Sequence, residues 1–503
     1  VDLLVGLDVG TSALKAIAVD ARDGRVVATA SREYPLYTPA PGHAEQDGDD
    51  FSRAALEALA DLAKQLGDAR GEVRGIGLSG QMHSAMLLDA ERRLVRRAIL
   101  WCDTRTRAEC EAITAALGHD GLRRTVRNLA LEGFTLPKLL WVRAHEPAVY
   151  ARIAHVVMPK DYVALALTGE LGTDVSDASG TLAFDPAARA WSHEALRAVG
   201  VEARWFPQAR ESAEVVGGLT RAVAEATGLR EGTPVVAGAA DNAAAAVGLG
   251  VVRTGRGMVS IGTSGTVLAH TDALRVDAGM RLHSFCAAVP GASYLMGVML
   301  SAGGALRWFR DTIAKRPYDA ITAAAARAER GAGGVVFLPY LMGERTPHND
   351  ANARGAFVGL SAVTGEAELS RAVLEGISYG LADSLALMRG AAPPVALDEL
   401  RLTGGGARSA VWRQMLADVF GVEVAVTNST EGAAFGAAVL AGVGSGVFGS
   451  VADAADALVR VVERTAPDPA ASAYYREAHG TYCALYGDLR ERFAAMAARP
   501  PRR

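Results

Sequence analysis

The same short turn is written twice in this chain, about half its length apart. Val9-Gly10-Thr11-Ser12 returns as Ile261-Gly262-Thr263-Ser264, 252 residues on in a chain of 503, and each copy is preceded by one apolar strand and followed by another. Gly, Thr and Ser populate turns of many kinds, so four residues alone carry little. The matching strand context points to two similar halves, and the length agrees with more than one domain.

Around the first turn, residues 3–7 and 13–19 read as a hairpin with a polar tip, and 26–30 as a third strand. Phe51, Leu56, Leu59, Leu62, Ala63 and Leu66 recur at helical spacing, which predicts a helix over 50–66. Residues 73–79 read as a strand ending in Gly80-Gln81-Met82-His83, and open α/β sheets bind ligands at such ends. Strand and helix then alternate as far as 234–238, so the chain is expected to be α/β rather than a sandwich or a bundle. Residues 468–496 read as one amphipathic helix, with Tyr474, Tyr475, Tyr482 and Leu485 near one side, packing on the C-terminal half.

Charge and cysteine content exclude several classes of partner. The 52 basic residues against 56 acidic ones leave a net charge of -4, so no bulk positive field is present to hold a nucleic acid. Five of the basic residues are lysines (Lys15, Lys64, Lys138, Lys160, Lys315), a bias that reads as genomic. Cys102, Cys110, Cys286 and Cys483 form no CxxC pair and there is no clustered His, so neither a disulfide framework nor a zinc site is signalled and a cytoplasmic setting is expected. There is no basic leader and no run of about 18 apolar residues, so neither a secretory signal nor a membrane span is expected.

A Gly-Thr-Ser turn between strands can aim N–H groups and hydroxyls at a phosphate, and two such turns could clamp a polyphosphate from both sides. Asp8, beside the first turn, is placed to hold Mg2+, which prefers carboxylate oxygen; its alternative is a turn-forming acid. Neither GxxxxGK[ST] nor the protein-kinase loops occur. Leu402 to Ser409 instead runs a strand into Gly404-Gly405-Gly406 and then a helix from about 410, a second place where backbone can approach phosphate. Ala239-Ala240-Asp241-Asn242 opens an Ala-rich helix, where Asp241 is either an N-cap or a base for a substrate hydroxyl. Met82, His83 and Trp101 are either core or the mixed wall that a sugar needs.

Together these motifs resemble the FGGY family of carbohydrate kinases. Two long stretches carry the resemblance, Gly133-Phe134-Thr135-Leu136-Pro137-Lys138-Leu139-Leu140-Trp141-Val142 and the run from Gly355-Ala356-Phe357-Val358-Gly359-Leu360 to Ala372-Val373-Leu374-Glu375-Gly376, and the match covers about residues 3 to 490. It implies an actin-like ATPase (ribonuclease H-like) fold with duplicated halves, 1–238 and 239–503, about a central cleft. Gln81-Met82-His83, Pro159-Lys160-Asp161-Tyr162, Ser176-Asp177-Ala178-Ser179-Gly180-Thr181 and Asp241-Asn242-Ala243-Ala244 are similar to the members that act on D-xylulose. Glycerol-phosphorylating members instead carry an Arg-Glu pair after the Gln and a Gln after the Asp.

The resemblance implies ATP-dependent phosphorylation of the D-xylulose C5 hydroxyl. Asp241 would be the base, and Met82, His83, Trp101 and Asn242 would join it in binding the sugar. Asp8 would support Mg2+, Gly10, Thr11, Ser12, Lys15, Gly262 and Thr263 would surround the phosphates, and Gly303, Gly405 and Gly406 would line the adenine-nucleotide side. Ala239-Ala240 stands where glycines are common, and Cys102 where Asn or Gln is common. Ribulose, gluconate or glycerol as acceptor, and a non-catalytic sugar or nucleotide sensor, stay open as alternatives, and related enzymes suggest a homodimer.

Overall fold

In the computed structural model, which describes residues 2–429 and 431–498, each copy of the repeated turn joins two neighbouring strands of a seven-stranded sheet. In the first sheet β1 (Leu3–Val9), β2 (Ala13–Asp20) and β3 (Val26–Glu33) form an antiparallel meander, and β4 (Val73–Gly80) lies parallel on the other side of β1. β5 (Val215–Gly218) pairs antiparallel with β6 (Pro234–Val236), which runs parallel to β4, and the short β7 (Ala239–Ala240) pairs with the end of β4.

The second sheet repeats the plan. It contains β8 (Gly255–Ile261), β9 (Gly265–Thr271), β10 (His283–Cys286), β11 (Ser293–Met299), β12 (Leu397–Gly404), β13 (Glu423–Thr427) and β14 (Val461–Thr465), in the spatial order β10-β11-β9-β8-β12-β13-β14. β8, β9 and β11 form the meander, and β12 then β13 continue parallel beside β8. The run β11-β9-β8-β12 thus matches β3-β2-β1-β4, and the duplication read from eight residues extends to whole sheets.

Local chemistry explains the elements. β1 buries Leu3, Leu4, Val5, Leu7 and Val9 almost completely, as a strand covered on both faces must. Helix α1 (Gly48–Leu66) begins two residues before the predicted start because the Asp47 carboxylate caps it, accepting from the Asp49 N–H. Its Phe51, Ala55, Leu59 and Leu62 pack into a core with β1, β2 and β4.

Four further helices matter for the site: α2 (Asp241–Gly248), α3 (Glu366–Arg389), α4 (Gly432–Gly444) and α5 (Pro469–Ala497). α4 comes from the second half of the chain yet packs on β1 and β4 of the first sheet and crosses α2. The crossing is so close that a Cβ on Gly436 would stand 1.8 Å from the Ala244 carbonyl oxygen, so only glycine fits. Phe435, Val439 and Leu440 on α4 are fully buried, each contributing roughly 1.5–3 kcal/mol to this junction.

α5 is capped by Asp468, which accepts from the Ala471 N–H, and buries Tyr475, Tyr482, Tyr486 and Phe493 in the core built on α3. Tyr474 lies off that face, 42% exposed. Among the described residues no helix is long and apolar enough to cross a membrane.

Candidate active site

Because β1 and β4 are parallel, with β7 added to β4, their C-terminal ends share one edge, and that edge collects the acids. Asp8 on β1 sits opposite Ser79 on β4, and the Ser79 hydroxyl donates to Asp8 Oδ1 at 3.0 Å. Burial raises the Asp8 pKa above the ordinary carboxylate value, and the Ser79 bond and Lys15 offset part of the rise.

Asp241 is the first residue of α2, whose N-cap is Ala240, so the Asp241 carboxylate is not the cap. Its Oδ1 accepts from the Asn242 backbone N–H at 2.6 Å and from Asn242 Nδ2 at 2.8 Å. Burial first, and then the negative charge of Asp8, push its pKa up to about 7. Ala239 and Ala240 are fully buried in β7, and the Ala240 N–H donates to Ser176 Oγ at 3.0 Å. The two methyls in place of glycines therefore sit in a fixed strand immediately before the acid.

Around Asp241 the structure gathers the predicted sugar-side residues. Asn242 Nδ2 approaches Met82 Sδ at 3.8 Å, joining the β4 loop to α2. His83 takes left-handed backbone (φ 68°), and its Nδ1 meets the Gly180 carbonyl at 2.5 Å. Burial holds its pKa down to about 3, so the ring is neutral, Nδ1 carries the proton, and Nε2 is left as an acceptor. A Cβ on Gly180 would come within 2.9 Å of Met82 Cε and 3.0 Å of His83 Nδ1, so glycine there makes room for both side chains. Lys138, fully buried, donates to the His83 carbonyl at 2.9 Å and fixes the loop from below.

Trp101 reaches the first turn: its indole N–H donates to Thr11 Oγ1 at 2.9 Å, and the ring is 43% exposed. The turn is otherwise held by Gln46 Nε2 on the Thr11 carbonyl at 2.6 Å and by the Tyr34 hydroxyl on the Gly10 carbonyl. Ser12 is exposed. Lys15 is turned to Glu431, ahead of α4, at 2.8 Å, an exposed ion pair between the two halves of the chain. In the second turn Gly262, Thr263 and Ser264 are exposed, the Gly303 N–H donates to the Gly262 carbonyl at 2.8 Å, and the Gly304 N–H to that of Thr263 at 2.9 Å. Gly303 is thus brought against the second turn, where a Cβ would stand 2.4 Å from the Gly262 oxygen. Gly406 packs on Ile261, which precedes the same turn, whereas Gly405 leaves open space at its Cα.

Sequence reasoning missed what stands behind Asp241. Lys160 is fully buried and its ammonium meets Asp161 at 2.6 Å, Asp174 at 3.0 Å, Asp177 at 3.7 Å and the Ala237 carbonyl at 3.2 Å. Burial works against its charge, but the three acids together hold its pKa well above the ordinary value. Asp174 in turn accepts from the hydroxyls of Ser176 (2.5 Å) and Ser212 (2.8 Å), and Ser176 holds the Ala240 N–H. Asp177 is the acid left over: neither oxygen has a hydrogen-bond partner, and burial raises its pKa well above the ordinary value. One signal was available in the sequence, since a chain with so few lysines keeps two of them, Lys138 and Lys160, where only a specific partner could repay burial.

Comparison with known proteins agrees with this arrangement. Residues 3–248 match the N-terminal domain of the FGGY family of carbohydrate kinases and residues 257–445 its C-terminal domain. The chain is 40% identical to the xylulose kinase of Escherichia coli (strain K12) over 490 residues, 97% of this chain and 99% of that one. Its structure is similar to that of xylulose kinase from Rhodospirillum rubrum (TM-score 0.91, 32% identity, covering 98% of this chain and 100% of that one). It is similar also to gluconate kinase from Lactobacillus acidophilus (TM-score 0.93, 26% identity, covering 98% and 99%). Two matching family domains, the duplicated sheets and an acid pair at the C-terminal edge of the first sheet lead to one conclusion: the chain belongs to the FGGY family of carbohydrate kinases.

Proposed function

We propose that the chain transfers the γ-phosphoryl group of ATP to the C5 hydroxyl of D-xylulose, giving D-xylulose 5-phosphate and ADP. The observation that carries this reading is Asp241 itself, a carboxylate that titrates near neutrality, oriented by Asn242 and facing Asp8 beside the Met82–His83 loop. In its ionised form it takes the proton of the attacking hydroxyl as the phosphoryl group leaves ADP. The transition state for such transfer is loose, so placement of the hydroxyl matters more than the strength of the base. Neutral His83 offers Nε2 to a sugar hydroxyl, Asn242 offers its amide, and Met82 covers carbon, the mixture a ketopentose presents.

Asp8 fits a hard divalent cation: one oxygen is tied to Ser79, and the carboxylate is desolvated near a second acid, Asp241. Asp8 would hold Mg2+, which when bound offsets negative charge on the phosphate oxygens. Gly10, Thr11 and Ser12 would grip the phosphates from one side, and Gly262 and Thr263 from the other. Lys15 would exchange Glu431 for phosphate, and Gly303, Gly405 and Gly406 would border the nucleotide. The two halves, expected as 1–238 and 239–503, would wall a cleft with Asp241 at their joint, β7 and α4 of the second half packing on the first sheet, and closure would exclude the water that hydrolyses ATP. A cytoplasmic enzyme is the setting this reading implies.

The test is Asp241→Ala in a coupled ADP-release assay, with ATP binding measured in parallel. The expected outcome is a loss of about 10²–10⁴-fold in kcat with nucleotide binding retained; near-normal turnover would overturn the assignment.

A further inference from the structure

Cys483, which sequence spacing left without a partner, is not alone in the folded chain. It lies one helical turn after His479 on α5, so the two side chains share a face, and that face meets Asp383 of α3. His479 Nε2 stands 2.8 Å from Asp383 Oδ1, Cys483 Sγ 3.4 Å from the same oxygen, and Sγ 3.5 Å from Nε2. Among the described residues this is the one group of three His, Cys or acidic side chains whose ligand atoms converge in this way.

We propose that Asp383, His479 and Cys483 form a Zn2+ site that clasps the C-terminal helix α5 to α3. The geometry supports it. With Zn–S of about 2.3 Å and Zn–N and Zn–O of about 2.0–2.1 Å, tetrahedral ligands are roughly 3.3–3.6 Å apart. The Sγ–Nε2 and Sγ–Oδ1 separations already have these values, and only the Nε2–Oδ1 hydrogen bond opens, by about half an ångström, to admit the ion. The donor set of thiolate, imidazole and carboxylate selects a borderline-soft ion over Mg2+ or Ca2+. Depth is graded as a bound ion requires: Asp383 is buried, His479 half-buried and Cys483 exposed, which leaves an entry path and a fourth position open to water. His479 is held in place by rings, stacked on Tyr482 at 6.1 Å and tilted against Tyr379 at 6.0 Å.

The site joins α3 to α5 and does not depend on the kinase reading.

The experiment is a Co2+ titration of the metal-free full-length chain. The expected result is a thiolate-to-cobalt charge-transfer band with the visible bands of tetrahedral Co2+, saturating at one equivalent and displaced by one equivalent of Zn2+. Zn2+ alone is expected to raise Tm by about 3 °C or more. Cys483→Ser removes the charge-transfer band, His479→Gln weakens Co2+ binding tenfold or more, and Cys102→Ser, at the other exposed cysteine, leaves the band in place. Absence of the band in the unmodified chain, or its survival in Cys483→Ser, would overturn the proposal.

Discussion

Asp241 is an acid whose pKa the fold raises to about 7, and both rate and stability inherit that shift. As the proposed base it would work only when ionised, so kcat/KM is expected to fall about tenfold per unit as pH drops below about 7 and to level off above it. The limb belongs to the interacting Asp8–Asp241 pair, and an apparent pKa near 4 would contradict it. For stability the sign is opposite to that of a salt-bridged carboxylate. The folded chain holds the Asp241 proton from the unfolded value near 4 up to about 7, so this contribution is present at low pH and lost as pH rises through 7. Asp241→Asn is therefore expected to raise Tm at pH 8, by roughly 1 °C for each kcal/mol relieved in a chain of this length, and not at pH 4; thermal melts at the two pH values check it. Gly180→Ala acts on the neighbouring wall, where its methyl would displace Met82 and His83. The expected outcome is KM for the sugar raised tenfold or more, with KM for ATP little changed.

The elements that hold these residues set the next expectations. Gly303 starts a helix against the second Gly-Thr-Ser turn, and a methyl there would push on the Gly262 carbonyl from 2.4 Å. Gly303→Ala is expected to raise KM for ATP at least tenfold while sugar binding, measured without nucleotide, stays the same. Lys160 ties its own helix, Pro159–Thr168, to Asp174, Asp177 and the Ala237 carbonyl behind β7. Lys160→Met would strand buried carboxylates, at a cost of about 3–5 kcal/mol, so a fall in Tm of about 3–5 °C is expected. These two cases also divide what the sequence made legible. The turn that Gly303 supports followed from a motif, because glycines and hydroxyls near a strand end have a local signature, whereas Gly303 itself came from the family resemblance alone. The Lys160 network did not, since its acids come from separate segments and nothing local marks which of them pairs. Asp383, 96 residues before His479, escaped for the same reason.

Across the whole molecule, duplication is the most legible property. One repeated turn implied two similar halves, the structure gives each half a sheet with the same run of four strands, and the expected strands and helices differ from the observed ones only at their ends. The course of α4 was not legible: an Ala- and Gly-rich helix from the second half lies across the first sheet, and only its contacts with β1, β4 and α2 reveal this. The Lys15–Glu431 pair spans the same divide. In the proposed reading an acceptor hydroxyl would lie against Asp241 whichever sugar enters, and Met82, His83, Trp101 and Asn242 would choose among acceptors. The most direct measurement is kcat/KM for ATP-dependent phosphorylation of D-xylulose, D-ribulose, L-ribulose, glycerol and gluconate by the purified full-length chain. D-xylulose is expected to exceed every other acceptor by tenfold or more; a higher kcat/KM for any of the other four would contradict the assignment of D-xylulose as substrate.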